Sequence, residues 1–155
     1  FFAIYSDERV LRFIAKAAPK AIDEIRAKID LIEANFRAGD GIMWAAVDRS
    51  SQRFVGNAGI WRIDREHFRG EIGYQIAPEF WGQGLIPEAL AAIVQWGFQR
   101  LGLHSLEAKI HPENRASERV LQKLGFVKEA HLAENHYNSV ADRFEDTVVY
   151  SLIGR

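Results

Sequence analysis

The 155 residues contain no cysteine. That excludes disulfides, thiolate zinc sites and a cysteine nucleophile, and it fits a reducing compartment. An excess of positive charge is missing too: 20 Lys and Arg stand against 21 Asp and Glu, so the chain carries no basic footprint of a nucleic-acid binder. No apolar run approaches the roughly 20 residues of a membrane-spanning helix, and the first residues lack the basic and apolar zones of a secretion signal. The five histidines, at 67, 104, 111, 131 and 136, do not have the spacing of a helical zinc site. These absences lead to the expectation of a cytoplasmic protein that binds no metal, membrane or nucleic acid. The length suits one domain spanning 1–155, large enough to bury about 68 to 70% of its unfolded surface without a staple.

What is present is organised around residues 70–101. Ile72, Tyr74 and Ile76 alternate with Glu71, Gly73 and Gln75, which predicts a strand ended by Pro78. Leu90, Val94, Gly97 or Phe98 and Leu101 then recur at helical spacing, with Gly102 as the stop. Between strand and helix lies Trp81-Gly82-Gln83-Gly84-Leu85-Ile86-Pro87. A helix start presents unpaired N–H groups and the positive end of the helix dipole, so this turn suits an anion, most simply a phosphate. It is not a Walker loop, which would end in Gly-Lys-Ser/Thr, nor a dinucleotide fingerprint, whose third glycine is replaced by Pro87. An ordinary glycine-rich connection remains the alternative on Gly82 and Gly84 alone.

The rest of the chain gives a coarse outline. Ser6-Asp7-Glu8 caps a short helix carrying Val10, Leu11, Phe13 and Ile14. Ile22, Ile25, Ile29, Ile32 and Phe36 mark one face of a second helix, expected to pack on a sheet and to end at Gly39. Residues 43–47 and 53–63 read as a hairpin, 105–110 as a strand and 115–124 as a short helix. Residues 126–132 and 147–153 alternate as final strands, with a polar connection of about fourteen residues expected between them. Short loops before the glycine turn favour antiparallel pairing, and the strand-helix-strand unit after it favours a parallel pair.

The run IGYQIAPEFWGQGLIPEAL, followed by HPENRASERVLQKLGF, resembles the GNAT superfamily of acetyl-CoA-dependent N-acetyltransferases, and within it the ribosomal-protein alanine N-acetyltransferase branch. The resemblance extends from about Ser6 to Leu152. It implies an α/β (α+β) fold with a mixed, splayed, mostly antiparallel sheet flanked by helices. Members usually begin with a strand that this sequence lacks, so a truncated or engineered chain is expected. The Gly-x-Gly turn of such proteins holds the pyrophosphate of coenzyme A on backbone amides, a role that falls to Gly82, Gln83, Gly84, Leu85 and Ile86. Glu79 stands where the superfamily often has Gln or Arg, so no cation is expected there.

The resemblance also assigns the main-chain groups of Tyr74 and Ile76 to the pantetheine arm and thioester. Asn114 is implied as a contact of that arm and Ser117 as a group near the sulfur, although Asn is also a preferred helix cap. Glu71 matches a catalytic glutamate of some members, acting as base or amine anchor, or else is a solvated strand carboxylate. Glu134 is the second choice of base and Tyr150 an alternative acid. Relatives often carry an arginine near Ala133, so acceptor recognition is expected to differ. The implied reaction is direct acetyl transfer from acetyl-CoA, the acyl-donor cosubstrate, to a primary amine. A protein N-terminus is the favoured acceptor, because an α-amine needs about three pKa units less deprotonation than lysine. The alternatives are a small-molecule amine or a non-catalytic acyl-CoA sensor, and a homodimer is an open assembly.

Overall fold

The computed structural model describes residues 1–154. Two helical turns, α1 (Phe2–Tyr5) and α2 (Glu8–Leu11), precede the long helix α3 (Ile22–Ala38). Then come β1 (Gly41–Val47), β2 (Phe54–Asp64), β3 (Arg69–Ile76), α4 (Leu85–Gln99), β4 (Ser105–Ile110), α5 (Arg115–Lys123), β5 (Val127–Asn138) and β6 (Arg143–Ile153). The six strands form one sheet in the order β1-β2-β3-β4-β6-β5. Every neighbouring pair is antiparallel except β3 with β4, so the sheet is mixed as expected. No helix among the described residues is long and apolar enough to cross a membrane.

The feature that positions the site is how little of β3 and β4 pairs. Their register runs Arg69 with Ser105, Gly70 with Leu106 and Glu71 with Glu107, and then stops. Beyond Glu71 the two strands part. Antiparallel bonding alternates along a strand. Ala77 donates its N–H to the Val55 carbonyl of the neighbouring chain segment (2.8 Å), so residues 75, 73 and 71 also bond toward β2. The main-chain groups of Ile72, Tyr74 and Ile76 therefore turn the other way; the Ile72 N–H completes the last bridge to β4, and those of Tyr74 and Ile76 lie beyond it, in the opening.

The core lies on the α4 side of the sheet. Ile86, Leu90 and Ile93 of α4 bury against Ala58 and Ile60 of β2, Ile72 of β3, and Leu106 and Ala108 of β4. Leu90, Ile60 and Leu106 are fully buried. Gly97 lets α4 approach this closely, since a Cβ there would lie 2.8 Å from Ile60 Cδ1. The expected helix face is found at Leu90 and Gly97, with Val94, Phe98 and Leu101 partly buried against the core; Ile93, not among the expected positions, is also buried.

Three expectations are corrected. α2 ends at Leu11, capped by the Asp7 side chain accepting from Arg9 N–H, so Phe13 and Ile14 fall outside it. The apolar stripe of α3 is mostly uncovered: Ile25 is buried, whereas Ile22 and Phe36 remain 56% and 60% exposed. α3 lies over a cavity rather than flush on the sheet, and Lys28, Leu31, Ile32 and Asn35 face that space. The fourteen-residue connection does not exist as a loop either. β5 and β6 run on as a hairpin arm with a turn at 139–142. Both faces of that arm are largely solvated, as at the successive residues His136 and Tyr137, so it never acquires the one-sided apolar alternation that marks a strand.

Candidate active site

The turn after β3 is built for backbone exposure. Pro78–Phe80 forms a single 3-10 turn, and Trp81 donates its indole N–H to the Ile76 carbonyl (3.0 Å), which ties the end of β3 to the glycine turn. Gly82 and Gly84 adopt φ of +75° and +79°, left-handed values costly for other residues, and a Cβ on either would meet nothing within 4 Å. Gly84 is the N-cap of α4 and offers no side chain to its first amides. Pro87 has no N–H to leave unpaired, so the free donors of the first turn are Leu85 and Ile86.

These groups open on a cleft of about 600 Å³ bounded by β3, the glycine turn, α4, α5 and the segment after α2. Of the predicted residues, Tyr74, Ile76, Gly82, Gly84, Leu85, Ile86, Asn114 and Ser117 all line it. Asn114 caps α5, its Oδ1 accepting from Ser117 N–H (3.1 Å), which leaves its amide nitrogen to give. The Tyr74 hydroxyl reaches the Ser117 carbonyl at 3.5 Å, a long contact, and burial pushes its phenol up to about 12. Gln83 does not line the cleft: its side chain turns back to donate to the Glu79 carbonyl (2.9 Å), so only its backbone can contribute. The Ile76 carbonyl is likewise occupied by Trp81, leaving the N–H as that residue's free group.

Three cations in this cleft escaped the sequence reading, Arg9, Arg12 and Lys123, of which Arg9 is paired with Asp7 (2.6 Å). Lys123 was legible: Asn114, Ser117, Val120 and Lys123 follow at intervals of three along α5, and all four face the cleft. Arg12 had no such signal, because it reaches the site from the end of the short α2, far from the glycine turn in sequence.

The remaining candidates lie elsewhere. Glu71 sits at the last paired position before the strands part but outside the cleft lining. Its carboxylate accepts from Trp61 Nε1 (3.1 Å), Arg62 (2.9 Å) and Lys109 (3.2 Å). Burial works against the Lys109 ammonium, but its bonds to Glu107 and Glu71 outweigh that and its pKa is raised. Tyr150, the alternative acid, is 1% exposed, gives its hydroxyl to Glu118 (2.7 Å) and does not line the cleft. Burial and that bond push its phenol up to about 12. Glu134 lies in the solvated arm, where its backbone N–H is held by Asp146 (2.9 Å), and it borders neither cavity.

A second cavity, of about 550 Å³, lies on the opposite face between α3 and the sheet. Tyr74 and Gln75 line both spaces, so the two meet where β3 leaves β4. An elongated ligand on one side and a second reactant on the other could thus come together at the unpaired main chain of β3.

The acetyltransferase (GNAT) domain family matches residues 1–127. The uncharacterized N-acetyltransferase YoaA of Bacillus subtilis (strain 168) is 33% identical over 98% of this chain and 85% of its own length. The [ribosomal protein uS5]-alanine N-acetyltransferase of Escherichia coli (strain K12) is 26% identical over 82% and 65%, respectively. Among solved structures, spermidine N-acetyltransferase from Vibrio cholerae in complex with CoA and spermine superposes with a TM-score of 0.84. It covers 98% of this chain and 86% of its own at 19% identity, a likeness of fold.

Proposed function

The chain belongs to the GNAT family of N-acetyltransferases, and from that premise we propose that it transfers acetyl from acetyl-CoA to a primary amine by direct attack in a ternary complex. The favoured acceptor is a protein N-terminal α-amine. The observation that carries this reading is the opening beyond Glu71, where β3 is no longer paired with β4, the Ile76 N–H faces the cleft and Tyr74 lines both cavities.

When bound, acetyl-CoA supplies the activated thioester. The amides of Gly82, Gln83, Gly84, Leu85 and Ile86 grip its pyrophosphate, with Arg12 and Lys123 adding positive charge. Asn114 gives its amide nitrogen to the pantetheine arm, and Ser117 lies toward the sulfur. Unpaired N–H groups of β3 polarise the thioester carbonyl, and their effect grows in a site closed to water. The amine first loses a proton to reach its neutral form, and its lone pair then bonds to the carbonyl carbon. The carbon–sulfur bond breaks, sulfur leaves with its electron pair and takes up a proton, and the nitrogen sheds its extra one. The products are an N-acetylated amine and free coenzyme A. An α-amine has a pKa near 7.7–8.0, so water can accept the first proton. Glu71 enters as a base on its place beside the opening, and only through water, since its carboxylate lies outside the cleft lining and is tied to Trp61, Arg62 and Lys109.

A small-molecule amine is the second reading, favoured by the α3-side cavity, whose volume suits a small ligand. The test is thiol release from acetyl-CoA with a panel of N-terminal peptides and small amines, followed by mass spectrometry of the products. No release with any amine refutes the transfer reading.

A further inference from the structure

The α3-side cavity has a floor of amides. Asn57 of β2 is 3% exposed, its nitrogen donates to the Met43 sulfur (3.3 Å), its side chain neighbours the Tyr5 phenol, and its Oδ1 accepts no well-aligned hydrogen bond among the described residues. Gln75 stands directly opposite on β3, and its buried Oε1 has none either. Side chains paired this way share one face about 5 Å apart. Two buried amide oxygens without a well-aligned donor therefore come from neighbouring side chains that both line this cavity. Orphaned acceptors of this kind are costly unless a donor arrives. An amine supplies such donors. Amide oxygens also suit the chemistry, because a carboxylate in their place would favour the ammonium form, which cannot attack.

The rest of the lining is electropositive. Lys16 and Lys28 both border the cavity, and the one carboxylate among its lining residues is Asp40. Arg62 also lines it but is held by Glu71 (2.9 Å). Lys28 lies with its ammonium 4.5 Å from the centre of the Tyr5 ring. Burial and the charge of Lys16 both disfavour its protonated form. An anion between the two lysines would relieve that repulsion, whereas a polycation would add to it.

We propose that this cavity selects a primary amine bearing a carboxylate a few bonds away, with Asn57 and Gln75 receiving the amine and Lys16 and Lys28 the carboxylate. The inference rests on the acetyl-transfer reading and narrows its acceptor. The same chemistry is offered by a free amino acid and by a peptide whose first residue is acidic.

The test measures kcat/KM for glutamate, glutamine amide, a peptide beginning with Glu, one beginning with Lys, and spermidine. The intact enzyme is expected to prefer a carboxylate-bearing amine over its uncharged or cationic counterpart by roughly tenfold, the scale of one charge-assisted contact. The free amino acid and the acidic peptide arms identify the source. In Lys28→Glu the preference ratio should fall or invert. In Gln75→Met, KM should rise for every amine. Calorimetry should show coenzyme A binding intact in Lys28→Glu, a residue outside the coenzyme A cleft, which certifies folding without relying on turnover, and direct titration of glutamate should weaken in the same variant. Preference for spermidine, or a ratio unmoved by Lys28→Glu, overturns the acceptor assignment while leaving acetyl transfer standing. Coenzyme A binding with no amine acetylated at all overturns both.

Discussion

Replacing Gly84 by Ala isolates backbone geometry from packing. Gly84 sits at φ +79°, and an added Cβ would touch nothing within 4 Å. The penalty is therefore conformational alone, about 1–2 kcal/mol for an L-residue in the left-handed region. Gly102 offers a matched control: its φ is +65°, its Cβ would also meet open space, and it follows the far end of α4. Both substitutions should lower the melting temperature similarly, by about 2–4 °C per kcal/mol for a domain of this size. They should part company in calorimetry with coenzyme A. If Gly84→Ala relaxes by turning its peptide, the Leu85 and Ile86 amides lose their aim. A hydrogen bond to a charged group contributes about 1.5–3 kcal/mol, so affinity should fall about tenfold or more, while Gly102→Ala binds like the parent. Equal coenzyme A affinities in the two variants, with equal losses of stability, would refute the claim that this turn holds the diphosphate.

Three other outcomes follow from the geometry. Lys123→Gln combined with Arg12→Gln should weaken coenzyme A binding and flatten its dependence on salt, measured by titration between low and moderate ionic strength. Glu71→Gln should reduce turnover more than acetyl-CoA affinity; turnover unchanged between about pH 6 and pH 9 would confine Glu71 to holding Trp61, Arg62 and Lys109. Burial raises both Tyr5 and Tyr74 from 10 to about 12, so the folded chain favours their neutral phenols. That contribution is complete below about pH 10 and disappears as pH climbs toward 12. Urea midpoints should therefore drop over that interval, and Tyr5→Phe with Tyr74→Phe should make the drop shallower.

Much of the fold could be read because its elements carry local signals. The strand at 105–110 lies where alternation put it, and Asn114 and Gly125 bracket α5 through cap chemistry. The parallel pair flanking α4 followed from the strand-helix-strand order. The β5–β6 arm was illegible beyond its inner half, since a ribbon solvated on both sides has no period-two contrast to display. α3 showed the converse: its stripe looked like core, yet the facing sheet surface carries Asn57 and Gln75, which hold it over a polar cavity. In the site, the glycine turn and the two α5 residues were visible as motifs. The environment of Glu71 was not, because its three partners lie 9, 10 and 38 residues away and meet it only through strand pairing.

The Trp81 indole gives the molecule an optical reporter of its own. It is 48% exposed and bonded to the Ile76 carbonyl at the edge of the cleft. Trp44 and Trp96 are instead locked edge-to-face on each other, 5.1 Å apart, away from the turn. Trp61, the fourth, is half-buried and gives its N–H to Glu71 (3.1 Å), so emission quenched by a soluble collisional agent would come chiefly from Trp81, the one exposed indole among the described residues. Occupancy of the turn could then be followed without a label, simply as shielding of that fluorescence.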